Sequence, residues 1–239
     1  LNALPEEERL LVWKELAEER LDDILELLSE DIREALVGDG HQTSSKVMVN
    51  IFELHNGRLR QTDIKRPQDF AGCQPIWVDL VAPTPKVREW VGQHFGLELP
   101  DPDNLTDLEA SARFYIEDNG EVHLHSYFLL NLNDESRNVP VAFILHNEIL
   151  FSVRSEELPV FRLQRMRART QPGYVTDGKD VLLDLYAADA EYSADRLEDV
   201  YAELEQVGKK VLSTRLSDDE AGEILGDIAR QEDLNGRVR

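Results

Sequence analysis

The chain has 239 residues, enough to bury a full core as one domain or as one domain with an appendage. Forty-eight acidic residues against 26 basic ones give a formal charge of −22, which argues against nucleic acid and anionic membrane as direct partners. The single Cys73 has no internal disulfide partner, no run approaches the ~20 apolar residues of a membrane helix, and no stretch of this sequence reads as a signal peptide. The chain as it stands is therefore expected to be soluble and to belong to a reducing cytoplasm.

Residues 1–40 carry 13 acids and 4 bases and read as short helices, with Leu10, Leu11, Trp13, Leu16 and Ala17 making an apolar stripe behind Pro5. Residues 38–45, Gly-Asp-Gly-His-Gln-Thr-Ser-Ser, read as a linker. Val47, Val49 and Ile51 then alternate with Met48, Asn50 and Phe52, and Asn56-Gly57 turns this strand into a hairpin returning through residues 59–64. Residues 76–81 are a third strand. Thr84-Pro85 opens a helix ending near Gly96, and residues 105–110 read as a short helix in an acidic loop. A second hairpin turns at Asn119-Gly120, between strands at 113–118 and 121–132.

In residues 139–146 both alternating sets are apolar: Val139, Val141, Phe143 and Leu145 against Ala142 and Ile144. Such a strand is buried on both faces and needs a helical layer above and below. Asn147-Glu148 turns it into a strand over 149–154. Ser155 is expected to cap the following helix, which carries Leu158, Phe161, Leu163 and Met166 with arginines at 162, 165, 167 and 169. From Lys179 to about Leu212 one apolar stripe runs without a break, about 50 Å of helix at 1.5 Å per residue. That is too long to lie wholly on a small domain. Ser217 to Glu220 is a capping box for a further helix that reaches the last residue without a stop signal, as an element continuing into further sequence would.

No phosphate loop, dinucleotide fingerprint, paired-cysteine zinc pattern or nucleophile elbow occurs. His123 and His125 share a strand face and are two potential metal ligands, but zinc needs a third; as hairpin or core histidines they need none. The arginines at 162–169 suit an anion, or acids on neighbouring elements. Asp101, Asp103, Asp107 and Glu109 cluster before a strand. They are either a solvated acidic turn or carboxylate ligands for a hard divalent cation, and magnesium often uses only one or two of these.

Four blocks in order carry a resemblance: residues 76–80 (IWVDL), 109–114 with 124–128 (EASARF and LHSYF), 157–169 (ELPVFRLQRMRAR) and 182–185 (LLDL). Together they resemble the soluble domain of the CorA magnesium and cobalt transporters, over roughly residues 46–239. The resemblance implies an α/β/α sandwich with a mixed six- to seven-stranded sheet, followed by long antiparallel helices and preceded by a small helical segment. The expected division is 1–37 helical, 38–45 linker, 46–178 sandwich and 179–239 helical pair. Residues 1–40 also weakly resemble the N-terminal helical domain of MgtE transporters.

The same resemblance implies a cytoplasmic regulatory domain, not an enzyme, of a homopentameric divalent-cation channel at the bacterial inner membrane. Its membrane helices and Gly-Met-Asn pore motif would follow the present sequence. Regulatory Mg2+, with Co2+ as a second cation, would bind between subunits through Asp107, with Asp103 and Glu109 beside it. A partner carboxylate would come from a stalk helix that this chain does not reach. A zinc transporter of the ZntB type shares that architecture. A soluble metal-dependent enzyme would need a cluster of His and Asp that the sequence offers only at positions 123 and 125.

Overall fold

The computed structural model describes residues 48–105, 113–132, 135–213 and 217–238. Seven strands form one sheet in the order β2-β1-β3-β7-β6-β5-β4. They are β1 (Met48–His55), β2 (Arg58–Asp63), β3 (Trp77–Val81), β4 (Phe114–Ile116), β5 (Val122–Leu132), β6 (Glu135–His146) and β7 (Ile149–Arg154). Only β3 with β7 is parallel among the described pairings, so the sheet is mixed as expected. Both Asn-Gly hairpins form, with φ of 52° at Asn56 and 75° at Gly57.

The two apolar sets of β6 do face two layers. Val139, Val141 and Phe143 join a cluster with Phe161, Val181 and Leu185, while Ala142 and Ile144 join one with Val91 and Leu99. Helix α1 (Pro85–Phe95) covers the second face. Thr84 Oγ1 accepts the Val87 amide at its start, and Gly96 ends it at φ 75°. Helices α2 (Pro159–Thr170) and α3 (Gly178–Ser213) cover the first face.

The start of α2 corrects one expectation. Ser155 does not cap it: the helix begins at Pro159 behind Leu158, which offers no capping side chain. Residues 155–157 bend instead around Arg154, whose Nη1 donates to the Glu156 carbonyl (2.8 Å) and whose Nη2 donates to the Glu157 carboxylate (3.3 Å). Satisfying a buried guanidinium outweighs one cap.

Helix α3 is unbroken through Tyr192 and pairs antiparallel with α4 (Asp218–Val238). Glu203 accepts from the Gln231 amide, and Val200 packs with Leu234. The Ser217–Glu220 capping box forms, with Ser217 N to Glu220 Oε2 at 2.9 Å and Glu220 N to Ser217 Oγ at 3.3 Å. The pair does not stand wholly away from the sheet. The first turns of α3 lie in the core, and the Asn138 amide of β6 donates to the Arg237 carbonyl at the end of α4. Past Tyr192 most of α3 is exposed, with Tyr201 at 70%. The segments at 1–37 and 38–45 lie outside the described residues.

Candidate functional site

The acidic cluster sits between α1 and β4. A 3-10 turn, Pro102–Leu105, carries Asp103, while Asp107 and Glu109 lie outside the described residues. The root of the loop is pinned: Arg88 Nη2 of α1 donates to Asp101 Oδ2 at 2.7 Å, so Asp101 is already engaged by a cation of its own chain. Among the described residues no group of three or more His, Cys, Asp or Glu is arranged to hold a metal ion. The donor set of Asp103, Asp107 and Glu109 is all-carboxylate, which is chemistry that fits Mg2+.

Where the loop begins, at Pro100, is a cleft of about 430 Å³ lined also by Glu98, Tyr115, Glu117, Asp118, Glu121 and His123, of which sequence reading singled out His123 alone. Burial pushes the Tyr115 hydroxyl up, and the Glu117, Glu121 and Glu98 carboxylates add to the shift. Glu121, only 7% exposed, is not free to ligate anything. Its Oε2 lies 3.1 Å from His123 Nε2, and its Oε1 lies 3.0 Å from His146 Nδ1 and accepts from Asn119 Nδ2 at 2.8 Å. His123 thus engages the Glu121 carboxylate at the hairpin tip, and its ring stacks on Tyr115 at 4.6 Å. Glu121 and His146 are far apart in sequence but meet because the β5–β6 register brings Val122 opposite Leu145.

The second polar centre lies in the middle of the sheet. Asp79 in β3 and Arg154 in β7 are both fully buried. Arg154 Nη2 donates to Asp79 Oδ2 at 2.7 Å and its Nε to Oδ1 at 3.1 Å. Trp77 Nε1 donates to Ser152 Oγ at 2.8 Å, which donates on to Asp79 Oδ1 at 2.6 Å. Arg165 of α2 adds a bond to Glu157 at 3.0 Å, and Phe161 lies 4.2 Å beneath the Arg154 guanidinium. Burial alone would raise the Glu157 carboxyl, but Arg154, Arg165 and Arg162 outweigh it and hold it well below the usual range. The arginines of α2 thus pair within the chain: Arg167 reaches Glu191 at 3.3 Å, and Arg169 donates to Gln61. This centre ties β3, β7 and α2 together, and nothing in it opens to a ligand.

A family profile described as "CorA-like Mg2+ transporter protein" matches residues 73–239. The Magnesium transport protein CorA of Escherichia coli (strain K12) and that of Yersinia pseudotuberculosis are each 37% identical over 193 residues, 80% of this chain and 60% of theirs. The chain thus spans 60% of the length of the curated relatives it matches. Among solved structures, the soluble domain of CorA from Methanocaldococcus jannaschii superposes with a TM-score of 0.55 at 12% identity, covering 82% of this chain and 89% of that one. That likeness bears on the fold, and the profile and the curated relatives bear on the family. With a matched segment that takes in the parallel β3–β7 pair, the acidic loop and both long helices, the chain belongs to the CorA-like Mg2+ transporter family.

Proposed function

We propose that this chain is the cytoplasmic regulatory part of a CorA-type divalent-cation channel, sensing intracellular Mg2+ to gate a pore formed by sequence outside it. The observation that carries this reading is the family match over residues 73–239, joined to relatives named as magnesium transport proteins. That name also favours magnesium over zinc as the transported ion. Among the described residues no helix is long and apolar enough to cross a membrane. The division at residues 37, 45 and 178 into helical segment, linker, sandwich and helical pair belongs to the same proposal.

The sensor works by charge. With a formal charge of −22, copies of this chain repel one another, and two carboxylates about 5 Å apart repel by roughly 3 kcal/mol at an effective dielectric of 20. Mg2+ held by Asp107, with Asp103 and Glu109 beside it, relieves that repulsion at a contact between copies in a pentamer and favours the closed assembly; Co2+ is a second cation for the same carboxylates. Relief of several such contacts supplies the few kcal/mol that bias a two-state gate. Arg88 supports this reading by fixing the base of the loop through Asp101, leaving the later carboxylates to the cation.

The test is Asp107→Asn in the full-length protein, which keeps the shape and removes the charge. Closure should then require more cytoplasmic Mg2+, with the fold unchanged by circular dichroism. An unchanged Mg2+ dependence of closure removes Asp107 from the sensor, and zinc flux exceeding magnesium flux overturns the choice of ion.

A further inference from the structure

Strand β4 is short: it pairs with β5 from Val122 to Leu124, with one further bond from the His125 amide to the Arg113 carbonyl, and beyond that point no strand among the described residues lines the outer edge of β5. Helix α3 covers it. Tyr186, Asp189 and Tyr192 recur at a spacing of three and so fall on one line along the helix. The Tyr186 hydroxyl shares a hydrogen bond with Ser126 Oγ. The Leu129 amide donates to the Asp189 carboxylate. Tyr192 Oη donates to the Asn131 carbonyl at 3.3 Å and accepts the Asn131 amide at 3.4 Å. Side chains of α3 thus do for β5 what a neighbouring strand's backbone would have done.

Asp189 is the odd member of the line. Its Oδ1 is out of contact with water and has no hydrogen-bond partner among the described residues, while Leu129, whose amide the carboxylate accepts, packs with Val200 and Leu234. The cations on the elements around it are already engaged. Arg196 of α3 pairs with Asp199 and stands over Tyr192. Arg137 of β6 is held by Glu156, Arg237 of α4 by Asp233, and Arg167 of α2 by Glu191. The histidines of β5, at 123 and 125, lie near its opposite end.

We propose that Asp189 makes the seating of α3 on the open edge of β5 proton-dependent: the neutral carboxyl holds the helix down, and ionisation loosens it. A carboxylate there keeps one oxygen desolvated and unpaired, whereas the neutral acid carries no such charge. Burial pushes the Asp189 carboxyl up to about 6, against the Leu129 amide, which acts to lower it. Because the value in the seated helix is raised, the stabilisation is fully present below the ordinary value of 3.8 and is lost as pH rises towards 6. Acidification tightens the long helix and alkalinisation frees it. The device is independent of the cation loop and stands or falls separately.

The Leu129 and Asn131 amides report on it directly, because their partners are α3 side chains. Hydrogen exchange of these two amides in the 239-residue chain, corrected for intrinsic rates, should show opening about tenfold greater at pH 8 than at pH 5. Asp189→Asn keeps the shape and the acceptor but cannot ionise, so the difference should shrink to within about twofold. Retention of the full difference in Asp189→Asn, or its absence in the unaltered chain, overturns the proposal. Should the variant fail to fold, carbon-detected titration of the Asp189 carboxyl in the unaltered chain decides. A midpoint near 6 upholds the latch, and one in the ordinary range near 4 ends it.

Discussion

Arg154→Met tests whether the buried centre is a required pair or only a tolerated one. Methionine keeps the aliphatic stem, while the charge, the guanidinium face over Phe161 and all four donated bonds to Asp79, Glu156 and Glu157 disappear. Asp79 is then left fully buried with the Ser152 hydroxyl at 2.6 Å and Arg165 Nη1 at 4.0 Å as its remaining support. Removing one partner of a buried pair costs about 3–5 kcal/mol, because the survivor's desolvation is no longer compensated. For a chain of this size each kcal/mol moves the melting point by about 2–4 °C, so the expected drop is on the order of 10 °C.

The double variant Asp79→Asn/Arg154→Met separates pairing from packing. Asparagine still accepts from Ser152 but carries no charge to strand, so the double variant should recover at least about 2 kcal/mol relative to Arg154→Met alone. The assay is urea unfolding followed by far-ultraviolet circular dichroism, with tryptophan fluorescence, to which Trp13 and Trp90 contribute beside Trp77, as a second probe. If the double variant is no more stable than Arg154→Met, the cost arises from lost packing on Phe161, and the charge argument is wrong.

Gly178→Ala places a Cβ 2.7 Å from both the Ile76 carbonyl oxygen and the Leu150 nitrogen, which are hydrogen-bonded to each other. Overpacking against backbone should cost about 1–3 kcal/mol and outweigh alanine's better helix propensity; a melting point equal to or above that of the unaltered chain contradicts this. For Glu157, whose carboxyl is depressed in the fold, the stabilisation is present above the ordinary value of 4.5 and is lost as pH falls through the lowered one. Between pH 4.5 and pH 2 the unaltered chain should therefore lose more stability than Glu157→Gln, and parallel acid-unfolding curves would remove Glu157 from the network.

The elements that sequence made legible are those specified by local chemistry. Thr84 and Gly96 bracket α1, the Asn-Gly pairs turn both hairpins, and the two apolar sets of β6 demand a layer on each side. The polar centres resisted because each joins residues whose proximity depends on register. Asp79 stands in the middle of a five-residue strand buried at every position, which announces that a counter-charge exists. Nothing local says that the counter-charge is Arg154, 75 residues on, because the parallel β3–β7 pairing sets Ser152 opposite Asp79 and leaves Arg154 to reach it from two residues further along. Ser155 shows the cost of that blindness. Ser-Glu-Glu before an apolar run has the composition of a helix start, but those residues fold around Arg154 and the helix waits for Pro159. The acidic loop follows the same rule from the other side. Its carboxylates are plain in the sequence, whereas the engagement of Asp101 by Arg88 and of Glu121 by two histidines appears only once α1, β5 and β6 are set against one another. Those two engagements narrow the cation reading physically. A carboxylate already paired within the chain gives up that pairing to bind an ion, so the ligands to test are the acids that follow the pinned base of the loop, beginning with Asp107.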